Sequence, residues 1–278
     1  MIMQAYLIAD SGGTKTDWCY VDEVGKRKYF TTASFHPSQW SDTFVDFFDN
    51  FWREEKIPYN ATVRFFGAGC SSLLNQNKLS LIFNKWGFPN VCIESDLIGA
   101  GKALFQNDSG SFSIMGTGSV FCTYNGSEIT QQHGGLGFLL GDEGSGYYFG
   151  KLLIKALLNE ELEEKLKINI HKVLGTPQEI IEKAYGVDGK KFISSIVFNL
   201  KHLKEERGVT EIHKKNFIEF TERYLVPNMV SSISIVGSYA YYHQDILIPL
   251  LNDYGILVKE ILHYPIVKLT DCLLKGAF

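Results

Sequence analysis

The chain has 278 residues, of which 45% are hydrophobic and 21% are charged, and its formal net charge is −4. This balance is typical of globular proteins and argues against disorder, and the length allows one large domain or two of ordinary size. The negative charge and the lack of a basic stripe argue against a nucleic-acid partner, because neutralising phosphates requires clustered Lys and Arg.

The first 107 residues predict two or three strands joined by tight turns, followed by alternating helices and strands. Strands are expected at 5–10, 16–21, 28–33, 62–66 and 91–94, and helices from Ser41-Asp42 onward, at 73–85 and at 97–105. The first helix carries phenylalanines spaced as one helical face, at Phe44, Phe47, Phe48 and Phe51. Hairpin strands followed by alternating elements predict a mixed sheet with helices on its faces.

The same order of strands and glycine turns begins again near residue 112. Strands are expected at 112–115, 120–124, 128–131 and 232–236, and helices at 145–158, 177–185, 190–200, 214–226 and 239–252. Residues 160–172 are expected to form a charge-dense helix or connector. The last helix is expected to break or end near Pro249. The repeat predicts two related lobes, 1–107 and 108–264, joined by the polar linker around Asn107–Gly110.

Two strand–turn–strand elements carry residues typical of phosphate binding. In the first, Asp10 ends a strand before Gly12-Gly13 and Thr14-Lys15; the second is Gly116-Thr117-Gly118-Ser119. Glycine lets backbone N–H groups approach a polyphosphate, and a carboxylate can hold Mg²⁺ through water. Each turn alone could be an ordinary hairpin, but two such turns facing each other across a cleft would hold one polyphosphate from both sides.

Two further segments carry candidate ligand-binding residues. Asp96 follows a strand and begins a helix, at the edge of a sheet where ligands bind in α/β proteins, although Asp is also favoured as a helix N-cap. Residues 134–146 hold six glycines together with Asp142 and Glu143. Such glycine density indicates backbone brought close to a ligand, and helix capping is the alternative role for the two acids.

The cysteines and the apolar runs predict a cytoplasmic protein. The five cysteines are scattered without a CxxC pair, which favours reduced thiols over disulfides or zinc ligands. No run of about 18 apolar residues occurs, so no membrane partner is expected. The N-terminal apolar stretch is short and lacks a basic flank, so we expect a buried strand there and not a signal peptide.

The glycine turns resemble loops of a known superfamily. Residues 10–16 and 116–119 resemble the first and second phosphate loops of the actin, hexokinase and chaperone ATPases, and residues 235–240 resemble their adenosine loop. Residues 134–151, GGLGFLLGDEGSGYYFGK, are similar to the signature of N-acetylglucosamine kinases and of the related BadF/BadG/BcrA/BcrD ATPases, the benzoyl-CoA-reductase activators.

This resemblance implies an α/β fold of two ribonuclease-H-like lobes, each a mixed sheet flanked by helices, with ATP and substrate in the cleft between them. It implies a kinase that uses ATP and Mg²⁺ to phosphorylate a hydroxyl of a small-molecule sugar, an amino sugar such as N-acetylglucosamine. A homodimer, and residues 265–278 packing back on the first lobe, are further expectations from the family.

The resemblance also assigns roles to individual residues. Asp96 would be the general base, and Asp10 would organise Mg²⁺. The residues implied to hold phosphates are Gly12, Gly13, Thr14, Lys15, Thr117 and Gly118, and those bordering the adenosine are Gly237 and Ser238. The residues implied to bind the sugar are His36, Asp96, Gly135, Leu136 and Asp142.

The sequence departs from the family pattern at two positions on the sugar side. His36 stands where these kinases often carry an Asn, and Leu136 replaces an aromatic residue of the animal enzymes. The phosphate loops show no such departure, so the resemblance specifies ATP better than it specifies the sugar.

Two other functions stay open. A BadF-type ATPase activates a partner enzyme through an iron–sulfur cluster shared between subunits, and such a cluster requires thiolates near the dimer axis. Cys70, Cys92 and Cys122 offer no recognisable ligand pair for it. A non-catalytic sugar or nucleotide binder on the same fold would leave the presence of both Asp10 and Asp96 unexplained.

Overall fold

The computed structural model describes residues 4–276, which form two compact units. Among these residues, unit 1 contains 4–110, 124–129 and 264–276, and unit 2 contains 111–123 and 130–263. No helix within 4–276 is long and apolar enough to cross a bilayer.

The described residues form ten strands and twelve α-helices. The strands are β1 (Tyr6–Ser11), β2 (Lys15–Val21), β3 (Arg27–Ala33), β4 (Thr62–Gly67), β5 (Val91–Ser95), β6 (Gly110–Met115), β7 (Ser119–Tyr124), β8 (Ile129–Gly134), β9 (Ser232–Val236) and β10 (Leu257–Leu262). The helices are α1 (Asp42–Glu54), α2 (Leu73–Lys85), α3 (Asp96–Phe105), α4 (Gly137–Leu140), α5 (Gly146–Leu158), α6 (Glu164–Leu174), α7 (Pro177–Tyr185), α8 (Gly189–Asn199), α9 (Arg207–Phe220), α10 (Ser238–Tyr242), α11 (Gln244–Asp253) and α12 (Pro265–Leu274).

Each unit contains one five-stranded mixed sheet. The strand orders are β3-β2-β1-β4-β5 and β10-β9-β6-β7-β8. In unit 1, β1 pairs antiparallel with β2 and parallel with β4, and β4 pairs parallel with β5. In unit 2, β6 and β10 both pair parallel with β9. Read from its far edge, the second sheet repeats the order of the first, so the predicted fold class and the predicted repeat are confirmed.

An aromatic core fills unit 1, and the face of α1 that packs on it is rotated from the predicted one. The buried stripe of α1 is Val45, Phe48 and Trp52, while Phe47 is 62% exposed. Trp52 packs edge-on against Trp18 of β2, with ring centroids 5.1 Å apart. The larger indole therefore sets the helix rotation, and the phenylalanine stripe is only partly buried.

Two predicted helices of unit 2 have different limits. The helix expected at 214–226 begins at Arg207 and continues into a π-helical turn, Thr221–Leu225. The expected break near Pro249 is wrong, because the chain leaves the helix at His243 and Pro249 lies inside α11. Pro249 is the sixth residue of α11, so it removes a single hydrogen bond near the helix start, and the helix continues past it.

Candidate active site

Asp10 and Asp96 lie at the same edge of the unit 1 sheet. In the strand register, Asp10 of β1 pairs with Phe66 of β4, and Phe66 pairs with Glu94 of β5. Asp96 follows two residues after Glu94. Helix α3 is capped by Ser95, whose Oγ accepts a hydrogen bond from the Ile98 N–H at 3.3 Å. Since Ser95 serves as the N-cap, the Asp96 carboxylate is not required for that role, and it accepts the N–H of Leu97 at 3.1 Å.

Burial perturbs both carboxyl groups. It raises the pKa of Asp10 to about 7, and repulsion from Asp96 and Asp17 adds to that rise. It raises the pKa of Asp96 to about 6, against the opposing effect of the Leu97 N–H. A raised pKa in a carboxyl group at the edge of a sheet is characteristic of groups that exchange protons or bind cations.

The first phosphate turn is exposed but fixed in shape. Gly12 donates its N–H to the carbonyl of Lys15 at 3.0 Å, and Ser34 Oγ donates to the carbonyl of Gly12 at 2.7 Å. Gly12 to Lys15 are exposed, and a Cβ on Gly13 would meet nothing within 4 Å. This turn therefore has room for a ligand against its backbone.

Lys15 and His36 both make contacts within unit 1. Lys15 Nζ lies 2.7 Å from the Asp17 carboxylate and 4.9 Å from the centre of the Tyr264 ring. His36 caps the short helical turn after it, with its Nδ1 2.8 Å from Ser38 Oγ. The Lys15 ammonium is therefore paired with a carboxylate beside the first phosphate turn.

In unit 2, the second phosphate turn is held by the loop that follows the glycine run. Gly146 donates its N–H to the carbonyl of Gly116 at 2.9 Å, and Tyr147 donates its N–H to the carbonyl of Thr117 at 3.3 Å. At the other end of that loop, Gly135 donates its N–H to the carbonyl of Ser119 at 3.0 Å. The turn at 116–119 and the loop at 134–146 therefore form one cluster.

Asp142 lies against the second phosphate turn. Its Oδ1 accepts the N–H of Ser119 at 3.3 Å, and a Cβ added to Gly118 would lie 3.1 Å from the same oxygen. The backbone φ of Asp142 is +69°, which is unusual for a residue with a side chain. The side chain is buried, which raises its pKa. Asp142 is thus placed beside Gly118, whereas Leu136 is 59% exposed.

The turn after β9 completes the cluster in unit 2. Gly237 has a φ of +128°, and a Cβ there would lie 2.3 Å from the carbonyl oxygen of Met115. Glycine is required because the turn packs directly on the start of the second phosphate turn. Ser238, at the start of α10, is exposed. The structure therefore brings Thr117, Gly118, Gly135, Asp142 and Gly237 together within unit 2.

Side chains from α9 and from the π-helical turn after it support this cluster, and no sequence pattern predicted them. The Glu143 carboxylate accepts hydrogen bonds from Arg223 and from the Tyr224 hydroxyl, the latter at 2.9 Å. Asn216 of α9 bonds to the loop at Gly144 and Ser145. Two adjacent acids in a glycine-rich loop, Asp142 and Glu143, are a sequence signal for a site at this loop. No motif in the sequence around Asn216 indicates a contact with the loop.

The chain is similar to solved structures of kinases over nearly its whole length. A proposed N-acetylglucosamine kinase from Porphyromonas gingivalis is 28% identical with a TM-score of 0.87, and the match covers 98% of this chain and 100% of that chain. A second one, from Chromobacterium violaceum, is 16% identical with a TM-score of 0.71, covering 98% and 99%. A ROK family glucokinase from Streptomyces griseus, solved with glucose and AMPPNP, is 15% identical with a TM-score of 0.54, covering 96% and 98%.

These similarities confirm the predicted actin-like ATPase fold, which MreB 5 of Spiroplasma citri also shares with a TM-score of 0.55 and 12% identity. They also confirm the predicted resemblance to N-acetylglucosamine kinases. No family model matches the chain, and no curated protein matches it.

Proposed function

We propose that this chain is an ATP-dependent sugar kinase that phosphorylates a hydroxyl of an amino sugar such as N-acetylglucosamine. One observation carries the proposal: Asp96 presents a carboxylate of raised pKa at the sheet edge beside Asp10, while Ser95 caps the helix in its place. The similarity to sugar kinases supports the phosphotransferase class, and the P. gingivalis protein supports the amino sugar.

Asp96 is suited to accept the proton of the attacking hydroxyl. A general base works best when its pKa lies near the operating pH and when it is within reach of the proton that it removes. In phosphoryl transfer, positioning and charge stabilisation supply most of the rate, and they depend on the backbone of the two phosphate turns.

Asp10 fits a role beside Mg²⁺. Its carboxyl group is repelled by Asp96 and Asp17, and a divalent cation would relieve that repulsion. Within residues 4–276 no three His, Cys, Asp or Glu side chains converge as metal ligands. This fits Mg²⁺, which keeps several waters and is held by one or two carboxylates together with substrate phosphates. When bound, the ion would neutralise charge on the phosphates of ATP.

The proposal is tested by coupled ADP release from Mg·ATP with a panel of amino sugars and hexoses. Turnover should require both a sugar and Mg²⁺, and it should be fastest with an amino sugar. If ATP binds and no sugar accelerates ADP release, the kinase function is wrong, and an ATPase that activates a partner enzyme becomes the better explanation.

The rate should also depend on pH in a defined direction. The base must be ionised, so kcat/KM for the sugar should fall about tenfold per pH unit below the pKa of Asp96 and level off above it. The midpoint is expected no higher than about 6, because a bound cation favours the ionised carboxylate. A kcat/KM that rises as the pH is lowered from 8 to 4.5 would contradict the assignment of Asp96 as the base, because protonation can only remove the base.

A further inference from the structure

One buried amide side chain contacts two of the loops assigned above to nucleotide and substrate. Asn216 lies on α9 and is completely buried. Its Oδ1 accepts the N–H of Gly144 at 2.6 Å, and its Nδ2 donates to the carbonyl of Ser145 at 2.9 Å and to the hydroxyl of Tyr239 at 2.9 Å. Both donors and the acceptor of the amide are therefore used.

The partners of Asn216 belong to different parts of the candidate site. Gly144 and Ser145 follow Asp142 and Glu143 and lead into α5, whose Gly146 bonds to the second phosphate turn. Tyr239 follows Gly237-Ser238, the turn assigned to adenosine. Asn216 thus connects the adenosine turn to the loop that holds the second phosphate turn.

The hydroxyl of Tyr239 is held in one orientation. It accepts from Asn216, which leaves its own proton for His213 Nδ1 at 2.8 Å. Burial and the neighbouring His243 hold the pKa of His213 well below its usual value, so the ring is neutral and can accept that proton. The His213 ring is also stacked between Phe149 and His243, each with its ring centre 3.9 Å away.

Further support of this loop comes from the π-helical turn that follows α9. Arg223 and the Tyr224 hydroxyl bond to the two oxygens of Glu143, on the other side of the same loop. A π-helical turn is rare and occurs often at functional sites. These contacts stop at the loop, and the described hydrogen bonds of the Tyr239 hydroxyl are those with Asn216 and His213.

We propose that Asn216 is a positioning residue that sets nucleotide affinity, by holding the adenosine turn and the 142–146 loop in the one arrangement that binds ATP. The proposal rests on the proposed function in so far as those loops bind ATP. It does not require the acceptor to be a sugar, and it requires no contact between Asn216 and the nucleotide.

The test is calorimetric titration of AMPPNP with Mg²⁺ into wild type, Asn216→Ala, Tyr239→Phe and the double variant. Asn216→Ala leaves buried polar groups of both loops unpaired, and we expect the dissociation constant to rise about 10- to 100-fold. Tyr239→Phe removes one hydroxyl, and we expect a rise of about 3- to 10-fold. The double variant should resemble Asn216→Ala, because both changes break the same hydrogen bond.

A matched variant separates positioning from general loss of stability. Val209 is buried on the same helix, and its apolar side chain forms no hydrogen bond. Val209→Ala should lower the melting temperature but leave the AMPPNP dissociation constant within about twofold of wild type. Asn216→Ala should instead shift affinity far more than Val209→Ala at a comparable melting temperature.

The outcomes are distinguishable. If wild type binds AMPPNP and folded Asn216→Ala binds it equally well, the positioning role is wrong while the kinase function stands. If Asn216→Ala does not fold, unchanged affinity in Tyr239→Phe overturns the role by itself. If wild type binds no nucleotide, the kinase function fails first and the positioning role fails with it.

Discussion

Replacing Asp96 with Asn is expected to lower kcat by about 10²- to 10⁴-fold, the usual contribution of a general base. Asn has nearly the same shape as Asp and can still accept the N–H of Leu97, so the fold should persist. It cannot take up the hydroxyl proton. Affinity for ATP should change by no more than a few fold, because the phosphate turns are untouched. Steady-state kinetics with the best sugar of the panel measures the loss.

The chain contains a matched control for this variant. Asp42 is the first residue of α1 and follows an N-cap serine, as Asp96 follows Ser95 in α3, but Asp42 is exposed. Asp42→Asn should therefore leave kcat unchanged. An Asp96→Asn protein with wild-type turnover would remove Asp96 from the mechanism.

The Asp96→Asn variant should also be more stable than wild type at neutral pH. The folded-state pKa of Asp96, about 6, lies above its ordinary value of 3.8, so folding is favoured by protonation and loses stability as pH rises through that interval. Asn avoids this cost, and since Asp96 is partly accessible we expect a gain of about 1–2 kcal/mol at pH 7.5. Thermal melts without nucleotide should show the gain at pH 7.5 and its loss towards pH 4.

Replacing Gly237 with Ala is expected to destabilise unit 2 and to abolish nucleotide binding. The added methyl group would lie 2.3 Å from the carbonyl oxygen of Met115, and the φ of +128° is strained for any residue with a Cβ. The overlap involves backbone, so the turn has to move away from Gly116. We expect a loss of about 2–4 kcal/mol in the free energy of unfolding, measured by urea titration.

Gly255 provides the comparison that isolates the steric effect. Its φ is also positive, at +73°, but a Cβ there would meet nothing within 4 Å. Gly255→Ala should cost about 1 kcal/mol through backbone strain alone and leave AMPPNP affinity unchanged. Equal effects of the two variants on affinity would show that the turn at Gly237 has no special part in nucleotide binding.

Local signals predicted many of the elements well. The limits of α2, α7 and β9 agree with the expected ranges, because capping serine or threonine, proline at the first turn and short β-branched runs act within a few residues. Strand β10 was not predicted. Its sequence, LVKEIL, carries two charges, and it is a strand because it pairs with β9, some 25 residues earlier.

The candidate site was predictable where glycine or aspartate follows a strand. Asp96 and the turns at Gly116 and Gly237 directly follow strands, and Asp10 lies one residue before the end of β1. Their position follows from the parallel strands. Asn216 could not be found in this way. Its hydrogen bond to Gly144 joins residues 72 positions apart, and a polar residue inside an amphipathic helix is ordinarily a solvated one.

The most direct test of the kinase function is to identify the product. We would incubate the protein with Mg·ATP and N-acetylglucosamine, then count phosphorylated sugar by mass spectrometry against ADP formed, beside Asp96→Asn. The account predicts one phosphosugar for each ADP, and almost none with the variant. ADP without phosphosugar, for this sugar and for every other acceptor in the panel, would contradict it.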